Sequence, residues 1–348
     1  EEAIDKFIKA TKLDEKNVYA YISWGYALYE RGDYEGAIEK FKKAINHDQT
    51  LDSAYIGWSI LLYEQGDYEG AIEKIQEAIN QIPKPTFAYI LWGYLLYGRG
   101  DYEGAVEKLE SAISQDTTFA SAYIGLARML YERGDYEGAI EKFKEAINLD
   151  PKLAFAYCGW GEVLYECEDY EGAIEKLKEA INLDPKFALA YIDWGDVLNE
   201  RKEYDEAIKK YQKAIELDPK DEYVYFSLNE LLSKLDYNNV DTIYQKIIGL
   251  NTENFFAYTS WGDALIKQRK YEDAIEKYRK AIELNPKFAP ALVGWGRVLN
   301  ERKEYDEAIK KYQKAIELDP KNDFVYFSLN KLLSKLDYNN VDTIYQKI

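Results

Sequence analysis

The sequence predicts an all-α protein assembled from about ten copies of one two-helix unit. Tryptophan recurs at Trp24, Trp58, Trp92, Trp160, Trp194, Trp261 and Trp295, at steps of 34 or its multiples apart from one step of 67. Leu126, Leu228 and Leu329 stand where the period leaves tryptophan out. Within a period, two apolar stripes at helical spacing flank a short polar turn. One example is Tyr191, Trp194 and Leu198, followed by Ala207, Ile208, Tyr211, Ala214 and Ile215. A fixed period of this length marks stacked units, so their number, not core size, sets the chain length.

In chain order, Glu1–Asn17 reads as the second helix of an incomplete unit. Full units then begin at Val18, Asp52, Thr86, Ala120, Ala154, Ala188, Glu222, Phe255, Ala289 and Asp323. The first helix ends at a turn such as Gly32–Asp33, where glycine can take φ > 0 and aspartate can cap the next helix. Residues such as Pro219 stop the second helix. The unit 222–254 is degenerate: its turn is one residue short, Val240 and Ile247 replace small alanines, and Asn229 replaces glycine. The last unit, 323–348, repeats it, because Glu200–Ile247 recurs as Glu301–Ile348 with 44 of 48 residues identical.

Gly195, Tyr204, Ala207, Tyr211, Ala214 and Pro219 lie at the spacings of the tetratricopeptide repeat (TPR), and almost the whole chain resembles that family. The resemblance implies a right-handed superhelical solenoid of about ten helix-turn-helix units that works in protein–protein interaction. One departure recurs: Trp194 stands where the family usually has leucine, and Tyr191 where it has tryptophan. The tryptophans are therefore expected in the core. Three segments are expected: the incomplete repeat 1–17, five units over 18–187 with an aromatic, acidic groove, and five units over 188–348 with a more polar one.

Composition excludes several functions. There are 45 Lys+Arg against 63 Asp+Glu, a net charge of −18, with 15% aromatic residues, too many for a disordered acidic tail. Residues 1–187 carry 20 positive and 35 negative charges, and residues 188–348 carry 25 and 28. Neither half offers the basic stripe that nucleic acid needs. No run of 18 apolar residues is present to span a membrane. One histidine, His47, and two cysteines, Cys158 and Cys167, that diverge on opposite sides of a helix cannot assemble a zinc site. No glycine-rich loop follows a strand to hold phosphate. Neither enzyme activity, metal nor cofactor is expected, and the sparse cysteines fit a reducing compartment, the cytoplasm.

The candidate site is a second apolar face on the first helices. A soluble amphipathic helix normally makes that face polar. Here it carries Tyr26 and Tyr29, then Tyr63, then Phe87, Ile90, Tyr94 and Tyr97, then Tyr131 and Tyr165, with Glu30, Glu64, Glu132 and Glu166 beside the tyrosine column. In the TPR family this face lines the concave groove that receives partner peptides. Two readings are open: the tyrosines are a binding ladder, or they fill space between adjacent first helices and were held there by duplication. The slots matching the lysine with which some TPR proteins clamp a terminal carboxylate hold Ile22, Ile56, Ile90 and their successors, so that clamp is not expected.

The function expected is a scaffold or adaptor holding an extended or helical segment of a partner with apolar anchors and basic flanks. A structural or self-assembling array, or the targeting module of a larger enzyme, are the alternatives. Because the chain opens on Glu1 and ends within the periodic pattern, it reads as part of a longer one. Its uncovered ends, with Ile4 and Phe7 at one side and Val341, Ile344, Tyr345 and Ile348 at the other, are expected to fray or self-associate weakly.

Overall fold

A computed structural model describes residues 2–235 and 240–334, so Val341, Ile344, Tyr345 and Ile348 lie outside the described residues. The described residues form 20 α-helices and no strand. They fall into two compact units divided between Leu183 and Asp184. The first unit holds α1 (Glu2–Leu13), α2 (Val18–Glu30), α3 (Tyr34–His47), α4 (Asp52–Glu64), α5 (Tyr68–Gln81), α6 (Thr86–Gly98), α7 (Tyr102–Gln115), α8 (Ala120–Glu132), α9 (Tyr136–Leu149), α10 (Ala154–Glu166) and α11 (Tyr170–Leu183). The second holds α12 (Ala188–Glu200), α13 (Tyr204–Leu217), α14 (Glu222–Lys234), α15 (Val240–Leu250), α16 (Phe255–Lys267), α17 (Tyr271–Leu284), α18 (Ala289–Glu301), α19 (Tyr305–Leu318) and α20 (Asp323–Leu333). Even-numbered helices are the first helices of repeats, and each begins where the sequence period starts a repeat.

Small residues let each helix pair approach. Ala37 and Ala44 of α3 are fully buried, and Phe41 between them presses on two backbones. A Cβ at Gly25 would lie 2.6 Å from its ring, and one at Gly57 of the next repeat would lie 2.5 Å away. Phe143, Tyr211, Tyr278 and Tyr312 fill the same slot and are wholly or almost wholly buried. Close packing leaves no room there for an extra methyl group.

The interior aromatic is therefore not the tryptophan, which corrects the sequence expectation. Six of the seven tryptophans are half-buried, and Trp261 alone is buried, at 7% exposure. Each indole instead lies under cationic side chains of the second helices. Lys42 of α3 and Lys74 of α5 stand 4.9 and 4.8 Å over Trp58, and Lys144 and Lys176 stand 5.1 and 4.6 Å over Trp160. The lysine stems cover the ring while the ammonium groups face its π-cloud. The leucines in vacant tryptophan slots, Leu126 and Leu228, are buried. His47 is exposed and stacks on Tyr21, with ring centroids 5.8 Å apart.

The turn between paired helices is built in two ways. In four repeats of the first unit, glycine takes positive φ, as Gly32 does at 79°, and the following aspartate caps the second helix, as Asp33 accepts from the Gly36 amide at 3.0 Å. Elsewhere the same backbone is kept without glycine: Glu168, Lys202, Arg269 and Lys303 have φ of 59–63°. Side chains in this left-handed region are strained.

Candidate functional site

In the first unit, α2, α4, α6, α8 and α10 stand side by side and present one face. Its largest exposed apolar side chains are Tyr19, Phe87, Tyr94 and Phe155, at 69, 49, 39 and 41% exposure. Of the sequence-selected residues, Phe87 and Tyr94 are thus open to a partner. Phe87 meets Phe119 edge-on at 4.5 Å. Ile90, by contrast, is 7% exposed and packs with Val106, Leu126 and Met129, so it lies behind this face and not on it. Side chains at its equivalent slots, Ile22, Ile124 and Cys158, are buried for the same reason. Tyr26 is half-buried and donates to the Ser53 carbonyl at 3.1 Å.

The tyrosine column proves to be a set of ties between repeats. Tyr29 donates to Glu64 at 2.5 Å, and Tyr97 to Glu132 at 3.0 Å, each reaching the next first helix. Glu162 and Glu166 lie close enough to Tyr131 to act on it through charge. At Tyr63 the sequence accommodates the hydroxyl differently: Gly98 replaces glutamate, and a Cβ there would collide with it. Each column tyrosine also packs on the tyrosine that opens its own second helix. Centroid separations run from 5.1 Å for Tyr63–Tyr68 to 6.1 Å for Tyr29–Tyr34, with Tyr165–Tyr170 at 6.0 Å. All five column rings remain half-buried. Glu30, Glu64, Glu132 and Glu166 are exposed at the helix ends. Glu64 and Glu132 thus pair with the tyrosine of the preceding repeat, and not with the one in their own.

These contacts act on ionisation. The bond to Glu64 pushes the Tyr29 phenol up to about 12, because the charged acceptor opposes a phenolate. Burial, then Glu162, raises Tyr131. A feature that the sequence did not single out is the pair Arg128–Glu162, 3.7 Å apart on α8 and α10, the last two helices of the face. Burial raises the Glu162 carboxyl, partly opposed by Arg128. The same arginine lies 5.6 Å from the Phe155 ring. The clue lay in the column Tyr26, Ile60, Tyr94, Arg128 and Glu162, whose members occupy one slot of successive first helices.

Among the described residues no group of three or more histidine, cysteine, aspartate or glutamate side chains could hold a metal ion. No described helix is long and apolar enough to cross a membrane. Cys158 is buried and Cys167 exposed, and both are free thiols.

The family model described as "TPR repeat" matches residues 25–57, 127–166, 161–193 and 195–236, and the one described as "Tetratricopeptide repeat" matches residues 259–323. A comparison with curated proteins found no match. Among solved structures, yeast Tom70 is similar over 99% of this chain and 87% of its own, with TM-score 0.52 and 17% identity. MamA is 28% identical, covering 47% of this chain and 95% of its own, with TM-score 0.41. The APC/C hetero-tetramer Cut9-Hcn1 matches over 95% of this chain and 58% of its own, with TM-score 0.47 and 17% identity. Matched repeat models in both units, together with the all-helical repeat architecture, establish that the chain belongs to the tetratricopeptide repeat family.

Proposed function

We propose that the first unit is a protein-interaction scaffold whose face of first helices holds an extended or helical segment of a partner protein. The observation that carries this reading is the row of exposed aromatic side chains, Tyr19, Phe87, Tyr94 and Phe155, on a face that a soluble helix array would otherwise make polar. Large rings lose few rotamers on binding and supply anchoring area. The partner segment carries apolar or aromatic anchors with basic flanks. Residues 1–187 hold 20 positive against 35 negative charges, and an acidic surround favours Lys and Arg and speeds encounter at low salt. Two free thiols suit a reducing setting such as the cytoplasm.

The test is a selection of short displayed peptides on the whole chain, followed by affinity measurements with the enriched sequences. Peptides with aromatic or aliphatic anchors between Lys/Arg flanks are expected. Replacing Phe87 and Tyr94 together by alanine should weaken them by about 2 kcal/mol or more. If nothing is enriched, or the enriched peptides bind the double variant equally well, the face is not a groove for peptides. The inter-repeat ties would then mark a stiff structural array.

A further inference from the structure

In the second unit, a duplicated block supplies an internal comparison. Residues 188–247 and 289–348 are near-copies, and they differ in charge at four places: Asp193 against Gly294, Asp196 against Arg297, Asp221 against Asn322, and Glu230 against Lys331. Every one of these makes the later block more positive. Most of the interior is kept, although Ile192 gives way to Val293 and Tyr191 to Leu292. Tyr211 and Tyr312, Val224 and Val325, and Leu228 and Leu329 are all fully buried. Arg297 and Lys331 occupy the same slot on α18 and α20.

The exchange of aspartate for arginine leaves a mark on the hydrogen bonding. Tyr211 donates to Asp196 at 2.6 Å, and Tyr278 to Asp263 at 2.8 Å. Arg297 offers no acceptor and turns to Asp263 at 3.3 Å. Tyr312 is wholly buried, and its hydroxyl has no partner among the described residues. Tyr312 lines a cavity of about 420 Å³ together with Lys267, Arg269, Arg297 and Lys331, and Glu301 is the one carboxylate on that wall. Among the described residues, neither Arg269 nor Lys331 has an ion-pair partner. Phe324 and Phe327, 54 and 63% exposed, stand beside the cavity.

We infer that this face of α16, α18 and α20 is a second binding site, which takes a partner segment bearing carboxylates next to apolar side chains. Four cations in a chain of net charge −18 gather around a buried phenol that lacks an acceptor. A carboxylate supplies the missing acceptor and the opposite charge in one group, while the two phenylalanines seat apolar neighbours. The site does not use the clamp-lysine slots, which hold Val293 and Phe327 here. Its ligand has the opposite charge preference to the one proposed for the first unit.

The experiment selects displayed peptides on the whole chain and titrates the enriched acidic–apolar sequences against variants. Arg297→Asp with Lys331→Glu restores the residues of the sister block, where the aspartate accepts from the buried tyrosine. Arg297→Gln with Lys331→Gln is the neutral alternative should the first pair unfold. Acidic peptides are expected to be enriched and to lose affinity by about tenfold or more in either variant. Replacing Phe87 and Tyr94 by alanine should leave them unaffected. The inference is overturned if no acidic class emerges, or if acidic peptides bind the variants as tightly as the parent. It is also overturned if a labelled single-stranded oligonucleotide, and not the peptides, shows the dependence on Arg297 and Lys331.

Discussion

Tyr97 donates its hydroxyl to the carboxylate of Glu132, which lies 35 residues further on and on the next first helix, at 3.0 Å. Tyr29 and Glu64 repeat the relationship with the same separation. The tyrosine column therefore has a structural occupation whatever it binds. Its half-buried rings leave one edge open, so packing and recognition must be separated by substitution.

Tyr97 is the residue on which to separate them. Tyr97→Phe removes an exposed hydrogen bond and should cost about 0.5–1 kcal/mol. Tyr97→Ala also removes ring packing against Tyr102 and the neighbouring core, and should cost about 1–2 kcal/mol, less than a fully buried aromatic. If the ring touches the partner, Tyr97→Ala should weaken peptide binding by about tenfold while Tyr97→Phe barely changes it. Equal affinities for all three proteins, measured beside their melting curves, would make the column packing only.

The Tyr29–Glu64 bond predicts an alkaline titration. A folded-state phenol raised from 10.0 to about 12 holds its proton longer than in the unfolded chain. Its stabilising contribution is then complete below pH 10 and lost as pH rises from 10 to about 12. Glu64→Gln retains an acceptor but removes the charge, so the Tyr29 titration should move back down. Ring-carbon NMR of labelled tyrosine checks this, and an unmoved titration would show that Glu64 is not the cause.

Trp160 should behave as a covered surface residue. Full burial of a tryptophan would make its loss cost about 3–5 kcal/mol. With the ring half-buried beneath Lys144 and Lys176, Trp160→Ala should cost about 2–3 kcal/mol. Lys176→Ala should cost no more than about 1 kcal/mol. A double-mutant cycle in urea reads the coupling, and a coupling of zero would show that the stacked cation contributes nothing.

A turn graft should stabilise the second unit. Lys202 sits at φ 63° and Glu203 makes no capping bond to α13, whereas Gly32 and Asp33 fulfil both roles ahead of α3. Replacing Lys202 by Gly and Glu203 by Asp should add about 1–2 kcal/mol, through relieved strain and a new cap. Thermal melting decides it, and a lowered midpoint would mean that the entropy lost by glycine outweighs the relief.

Period, helix pairing and turn positions were legible in the sequence, because helical spacing, glycine and proline act locally and recur ten times over. The first helices begin where the period begins, from Val18 to Asp323. What the sequence could not assign was depth. Trp160 and Phe143 are both aromatic members of helical stripes, yet Phe143 is 1% exposed and the indole lies under lysines. That choice depends on which helix faces approach most closely, and a glycine such as Gly159 settles it by admitting the Phe143 ring against its backbone. Likewise Ile90 and Tyr94 share a stripe in sequence, but one turn of helix places the first behind the wall and the second in the open. The partner of each tyrosine was hidden for the same reason. A bond spanning 35 residues exists only once successive repeats have stacked, and stacking distance is a property of the tertiary structure.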